Sequence, residues 1–290
     1  MAGRIPNELI ERFLSDCGKL DTYELAQRYH KSQSTIREWK QQLRREGHVI
    51  PIIMRSAAPV LPEPITVDGR DALILSDLHI PYLNVPLYEK AIRVARNRGI
   101  GRVVIAGDLV DFGSISSYPG QTESLSVREE LRLARERLEE LEDNFEEVIC
   151  LTGNHDARLA HHLGGGLGVA DLGLPGVWSD HWYCYIGSWM IVHPVSYSEK
   201  LAVTRDLADI YGMNVIAGHT HQWGITKSRS GKYEAVEIGC MCLESATPYK
   251  ALRITRYARW VPGFAILQND VCYLYDMKRA EIETGEEEDG

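Results

Sequence analysis

The sequence has no run near the ~18 uninterrupted apolar residues that a membrane helix needs, which excludes an anchor made of one long apolar helix. Its first residues, Met1-Ala2-Gly3-Arg4-Ile5-Pro6, lack the apolar stretch of a signal peptide. The expectation is a cytoplasmic protein with no membrane partner. Cysteine is sparse, 6 in 290 residues, and does not suggest a disulfide scaffold. Cys150, Cys240 and Cys272 lie in apolar, strand-like runs, where a thiol acts as a small hydrophobe. Cys240-Met241-Cys242 has a spacing that suits a soft metal, but strand alternation yields the same pattern, and that is the reading adopted. An overall positive charge is also missing. The formal net charge of −9 argues against a surface coated for nucleic acid. Part of that excess sits in residues 281–290, with five Glu and one Asp, which read as a solvated acidic tail.

What is present fits an ordinary globular protein, at 44% hydrophobic and 25% charged. The length allows one large domain plus a small module. Residues 1–48 read as helices. Leu9, Ile10, Phe13 and Leu14 have helical spacing between Pro6 and Cys17. Asp21-Thr22 supplies an N-cap before Tyr23–Tyr29, Ser32 or Ser34 caps Thr35–Glu46, and Gly47 is a stop. Residues 49–70 hold Pro51, Pro59, Pro62 and Pro64, which no single helix or central strand accepts, so this stretch reads as a linker.

From residue 71 short apolar runs alternate with amphipathic helices. The runs are 72–75, 103–106, 148–151, 189–192 and 215–217; helices are expected near 85–98, 127–145 and 199–211. The helix at 127–145 carries Leu131, Leu138 and Leu141 on one side, among Glu/Arg pairs that form a solvated face. Later runs at 235–243, 264–267 and 271–275 suggest antiparallel strands, and residues 164–168, with four glycines, a flexible loop. The domain expected at 71–278 is thus α/β.

Each early run leads directly into a polar motif: Asp77-Leu78-His79, Gly107-Asp108-Leu109-Val110-Asp111, Gly153-Asn154-His155-Asp156, a lone His193, and Gly218-His219-Thr220-His221. In an open α/β sheet the carboxyl ends of the strands face one crevice, so motifs far apart in sequence can converge. Together they offer carboxylates, imidazoles and an amide oxygen, donors that suit divalent cations. Singly each motif is explained otherwise: Gly, Asn and Asp form turns, and a histidine after an apolar run is usually a strand end. Five such motifs in series favour a metal site.

In this order the motifs resemble those of the calcineurin-like metallophosphoesterase superfamily over about residues 71–275. The resemblance implies a four-layer α/β/β/α sandwich and an enzyme, a dinuclear metal-dependent phosphoesterase. It implies that Asp77, His79 and His221 hold a first ion, that Asn154, His193 and His219 hold a second, and that Asp108 bridges them. The ions, of which Mn2+ is expected while Fe, Zn2+ or Ni2+ accept the same donors, acidify a shared water that attacks phosphorus in line. His155 would serve the leaving-group oxygen, with Asp111 accepting its other ring N–H. Asp156 is expected to hydrogen-bond a ligand rather than ligate. Arg158, His161 and His162 could steady a phosphate, though an exposed helix turn explains them as well.

Within that superfamily, serine/threonine phosphatases carry Arg-Gly after the second motif and Gly after the first; Phe112-Gly113 and Ile80 stand here instead. The motifs look closer to the nuclease and phosphodiesterase branches. Residues 22–39 resemble a helix-turn-helix, with Leu25, Tyr29, Ile36 and Trp39 at the apolar positions and small Ala26 where helices cross. His30 and Lys31 depart from the usual glycine and apolar residue. Between Arg28 and Arg45 six Lys/Arg face one Glu, a local net of +5. Arg28, Lys31, Gln33, Ser34, Thr35, Arg37 and Lys40 are the candidate nucleic-acid contacts. The combination resembles phosphoesterases of phage genomes, which would place it in a host cytoplasm.

The leading expectation is therefore a metal-dependent phosphodiesterase or nuclease directed to DNA by a small all-α module. The alternative is a nucleotide or phosphomonoester phosphatase whose first helices serve protein docking or dimerisation, with the oligomeric state open. A DNA-binding protein with a vestigial metal site is a third reading, opposed by the full donor set.

Overall fold

In the computed structural model, which describes residues 4–51, 63–116, 125–195, 200–247 and 260–285, the chain divides into two units, Met1–Pro62 and Glu63–Gly290. Three helices build the first: α1 (Ile10–Cys17), α2 (Thr22–Arg28) and α3 (Gln33–Arg45). Their ends are set locally. Asp21 accepts from the Tyr23 and Glu24 amides while Glu24 reaches back to the Asp21 amide, a capping box. Ser32, rather than Ser34, caps α3 through the Thr35 amide. Edge-to-face packing of Phe13, Tyr29 and Trp39 fills the centre, with ring centroids 5.3 to 6.2 Å apart. Ile5, Leu25, Ile36 and Leu43 close around them. The expected turn glycine is replaced without loss of the turn, because His30 itself takes the left-handed conformation at φ 49°.

The second unit contains two six-stranded sheets. In the first, β2 (Ala72–Leu75), β3 (Arg102–Ile105), β4 (Glu147–Leu151) and β5 (Val177–Ser179) are parallel neighbours. Antiparallel β11 (Phe264–Gln268) and β12 (Val271–Tyr275) extend it beyond β2. In the second, β7 (Trp189–Val192), β8 (Asn214–Ala217) and β10 (Glu234–Ile238) run parallel. Antiparallel β6 (Tyr183–Ile186) and then β1 (Thr66–Val67) flank β7, and antiparallel β9 (Trp223–Lys227) flanks β10.

Strand alternation sorts the apolar runs between two cores. Ala72, Ile74, Val104, Ala106, Ile149 and Leu151 point from the first sheet toward Ile186, Ile191, Ile216 and Val236 of the second. Leu73, Leu75, Val103, Ile105, Val148 and Cys150 point the other way, onto α4 (Val85–Asn97), α5 (Val127–Asn144) and α8 (Met277–Thr284). On the outer face of the second sheet, Met190, Val192, Val215 and Ala217 pack on Ala208 of α7 (Ala202–Tyr211). The layers are therefore α/β/β/α. Because both faces of the central strands are covered, their sequences are continuously apolar rather than alternating.

Several boundaries differ from expectation. The stretch expected to be linker up to residue 70 already contains β1, paired in parallel with β6; a two-residue strand carries no legible period. Residues 52–62 of that linker lie outside the described residues. The acidic tail expected from 279 begins inside helix α8, whose Ala280 is buried and whose Glu281 and Glu283 pair with Lys90 and Arg98; residues 286–290 lie outside the described residues. The late runs are antiparallel for β11 and β12, whereas β10 is mixed, antiparallel to β9 on one side and parallel to β8 on the other.

One charged group is buried at the edge of the first core. Glu130, in the first turn of α5, has no exposed surface, and neither carboxylate oxygen completes a hydrogen bond. Burial and the nearby Asp111 carboxylate push its acid up to about 8, tempered by the Gly113 and Phe112 amides. Between 4.5, the ordinary value, and about 8, the folded state keeps a proton that the unfolded chain releases, so stability falls as pH rises across that window. Glu130→Gln should flatten the melting temperature against pH between those limits and raise it at the alkaline end. Thermal melts that keep the wild-type slope would show that Glu130 does not hold this proton.

Candidate metal centre

All five motifs meet at the carboxyl ends of β2, β3, β4, β7 and β8, on one rim of the second unit. Backbone bonds continue the pairing past the strands: the Asp77 amide donates to the Gly107 carbonyl at 3.1 Å and the His79 amide to that of Asp108 at 3.0 Å. The backbone turns sharply where the donors emerge. Asp77, His79, Asp108, His219 and His221 all take left-handed φ, between 43° and 71°. Each such residue costs of order 1–3 kcal/mol and persists only where surrounding contacts over-determine it. The motif glycines make room for the neighbouring donor. A Cβ on Gly153 would lie 2.2 Å from Asp108 Oδ1, and one on Gly107 2.5 Å from His193 Nδ1.

Two donor groups share one carboxylate. In the first, His221 Nε2 lies 3.0 Å from Asp77 Oδ1 and 3.1 Å from His79 Nε2. In the second, His193 Nε2 lies 3.0 Å from Asn154 Oδ1, and its ring is 5.0 Å from that of His219. Asp108 Oδ2 sits between them, 3.8 Å from His79 Nε2 and 3.4 Å from His193 Nε2. Donors on one cation, at metal–ligand lengths of ~2.0–2.2 Å, stand roughly 3.0–3.6 Å apart. The observed spacings and the mixture of carboxylate, imidazole and amide oxygen fit two divalent ions. The second group opens toward solvent, with Asn154 and His219 only half-buried.

The electrostatics favour ionised acids. Burial opposes charge on Asp77, Asp108 and Asp111, yet imidazoles beside them outweigh it and hold all three below the usual carboxylate range: His221 for Asp77, His193 for Asp108, and the His155 and His79 ring N–H groups for Asp111. Burial likewise opposes a proton on His193, but the Asp108 carboxylate raises it to about 9. Burial and the His193 charge push His219 down to about 4. A cation and these protons would compete for the same atoms.

His155 lies beside the first group. Its Nδ1 is 3.0 Å from Asp111 Oδ1 and 3.1 Å from the Asp111 carbonyl, and the same carboxylate oxygen lies 3.2 Å from His79 Nδ1, so Asp111 faces two imidazoles. Arg158 donates to the Asp111 carbonyl at 2.7 Å, and its Nη2 lies 3.0 Å from His155 Nε2. His161 and His162 are exposed on the last turn of α6 (Ala157–His162). Asp156 differs from expectation: instead of a ligand side chain it accepts from the amides of Gly153 at 2.9 Å, Val110 at 3.1 Å and Leu109 at 3.4 Å. Those amides satisfy it so well because the loops after β3 and β4 lie against each other. Burial and Asp108 nonetheless push its acid up to about 7.

Sequence reasoning did not single out Ser76 or Trp260, and it set Cys242 aside as part of a strand alternation. The Ser76 hydroxyl lies 2.6 Å from Asp77 Oδ2 and 2.8 Å from the Ala106 carbonyl. The Trp260 ring packs edge-on to His221 at 4.0 Å, and Cys242 stands beside His79 and His221. In the first unit the candidate nucleic-acid contacts divide. Lys31, Gln33, Ser34 and Arg37 are exposed around the start of α3; Thr35 and Lys40 are half-buried, Lys40 reaching Thr22 at 3.3 Å. Arg28 is engaged with Asp16 at 2.9 Å.

Gly153→Ala tests how tightly the loops are fitted. The added methyl should cost about 1–3 kcal/mol of stability through overpacking and weaken divalent-cation binding by displacing Asp108. Calorimetric binding equal to wild type would show that the donors do not depend on this contact.

Among solved structures the chain is similar to YfcE, a phosphoesterase from E. coli, at 16% identity over 71% of this chain and 93% of that one, with a TM-score of 0.41. It is similar to vacuolar protein sorting 29 from Cryptosporidium parvum at 17% identity, over 71% and 96% of the two chains, with a TM-score of 0.39. Vps29 of Chaetomium thermophilum matches at 15% identity, over 72% and 91%, with a TM-score of 0.42. No curated protein sequence matches the chain significantly. The family model of calcineurin-like phosphoesterases matches residues 72–223, a span that contains every donor named above and more than half of the 290 residues. The chain belongs to the calcineurin-like phosphoesterase family.

Proposed function

We propose that this member of a family of metal-dependent phosphoester hydrolases acts on phosphodiester bonds, with DNA as the substrate that its first unit recruits. The observation that carries the catalytic part is Asp108 Oδ2 standing between two donor groups, with His155 alongside. In this reading Asp77, His79 and His221 hold one divalent ion, Asn154, His193 and His219 hold the other, and Asp108 faces both. Both sets mix oxygen and imidazole donors, which Mn2+ accepts. When bound, the ions polarise the phosphoryl oxygens and acidify a water for attack on phosphorus.

The chain's own residues do the rest. Asp111 faces the Nδ1–H of His155 and orients the ring, so that the imidazolium, protonated from solvent once substrate displaces Arg158, hands its Nε2 proton to the departing oxygen. Arg158 donates to that Nε2 in the free protein; a substrate oxygen would take the imidazole over, leaving the guanidinium beside the phosphate as a fixed positive charge. Arg158 is the one guanidinium that touches this cluster among the described residues.

The DNA part is supported by the +5 balance between Arg28 and Arg45 and by the exposed polar start of α3. Lys31, Gln33, Ser34 and Arg37, exposed there, are the side chains proposed for such contact. Arg28 contributes less, since Asp16 already engages it.

Asp108→Asn and His155→Ala should each lower turnover of bis-p-nitrophenyl phosphate by roughly 10²–10⁴; full turnover by either contradicts the assignment. The same assay run against p-nitrophenyl phosphate should favour the diester, and a preference for the monoester would point to a nucleotide or phosphomonoester phosphatase instead. Lys31→Ala combined with Arg37→Ala should weaken DNA binding and shrink its salt dependence while bis-p-nitrophenyl phosphate turnover stays unchanged. DNA affinity unaffected by that pair, and by removal of residues 1–50, would sink recruitment.

A further inference from the structure

A sixth strand end reaches the same rim. β10 lies parallel to β8, so its carboxyl end opens where the motifs do. Past Ile238 the chain continues as Gly239-Cys240-Met241-Cys242, and the backbone is fixed against the first motif. The Met241 amide donates to the Ser76 carbonyl at 3.0 Å, the Met241 carbonyl accepts from the Asn84 amide at 2.7 Å, and the Leu243 amide donates to the Tyr82 carbonyl at 2.8 Å. A bridge between Leu83 and Cys242 completes the attachment. These bonds bring the buried Cys242 Sγ within 4.8 Å of a ring nitrogen on both His79 and His221. Cys240 Sγ lies 3.8 and 3.9 Å from the carbonyls of Cys242 and Val261 and is close enough to His221 for the two to interact.

We propose that Cys242 supplies a sulfur ligand to the first ion, which makes that half of the centre selective for a thiophilic cation, Zn2+ or Fe2+, over Mn2+. The proposal rests on the two-ion reading above. Sulfur and nitrogen bound to one zinc, at about 2.3 and 2.0–2.1 Å, stand roughly 3.5 Å apart, so ligation would draw Cys242 Sγ closer to the two histidines. On ligation the S–H proton leaves to solvent and the thiolate bonds the ion. A thiolate, two imidazoles and a carboxylate form a soft set, whereas the second group has oxygen and imidazole only. The two positions would then prefer different metals. The spacing of Cys240 and Cys242 follows from strand alternation, but among the described residues it is the Cys242 sulfur that groups with ring nitrogens of both His79 and His221.

The test is a titration of metal-free full-length protein with Co2+, followed by visible d–d absorption and by near-ultraviolet thiolate-to-cobalt charge transfer. Wild type should show both; Cys242→Ser should keep d–d absorption but lose the charge-transfer band, and Cys240→Ser should retain it. Competition between Zn2+ and Mn2+ should show that Cys242→Ser loses at least the ~10-fold in Zn2+ affinity that removal of even an outer partner costs, with Mn2+ affinity little changed. Cobalt binding without a charge-transfer band in wild type, or a band that survives in Cys242→Ser, overturns the sulfur ligand and leaves the two-ion reading standing. No cobalt binding at all overturns both. X-ray absorption on zinc-loaded wild type, expected to show one sulfur neighbour at ~2.3 Å, decides the matter even if the serine variants fail to fold; nitrogen and oxygen neighbours alone would refute it.

Discussion

The Asp108 carboxylate is the constraint on which the rest of the second unit depends. It is almost wholly buried, one oxygen taken by the His155 amide at 2.7 Å and the other facing imidazoles from both sheets. An isolated carboxylate in such a place would be neutralised rather than tolerated. Holding it ionised needs imidazoles from two directions. The stacking of two sheets, each with parallel strands ending at one rim, supplies them. His79 arrives from the first sheet and His193 from the second, and neither sheet alone could flank the acid.

That arrangement explains why so much of the sequence between β2 and β10 is either apolar or a donor. The strands are buried on both faces, so they carry no polar alternation, and their chemistry is concentrated in the few residues after each one. The backbone there bends into left-handed conformations that are unfavourable for Asp and His. Local propensity would not choose them; the packed strands beneath impose them. The site is thus strained at the level of single residues and secured at the level of the sheets.

Much of this was legible in the sequence because donor identity and strand ends coincide: Asp77, Asp108, His193 and His219 each follow a continuous apolar run. Less was legible where the signal depends on which strand pairs with which. The run at 235–238 has the composition of any strand, and only its parallel partner β8 reveals that Cys242 belongs to the rim. Ser76 is hidden for a different reason, since a hydroxyl beside an aspartate has no distinctive spacing. The three-residue β5 and two-residue β1 are too short to show a period. Helix α8 is masked by acidic residues whose partners, Lys90 and Arg98, lie about two hundred residues earlier in the chain. In the first unit the caps at Asp21 and Ser32 were readable because they act over three residues, whereas the tie between Arg28 and Asp16 depends on tertiary packing.

Asp156 has a consequence for how such a centre can change. It hydrogen-bonds none of the donor side chains, yet through the Leu109 and Val110 amides it staples the loop that carries Asp108 to its own loop, which carries Asn154 and is tied to it by the Gly153 amide. The width of the gap between those two donors is therefore dictated from outside the gap, by a residue that no cation or substrate would meet. Lineages descended from such a fold can retune the distance across the centre while every donor stays the same, and a comparison of donors alone would miss the change.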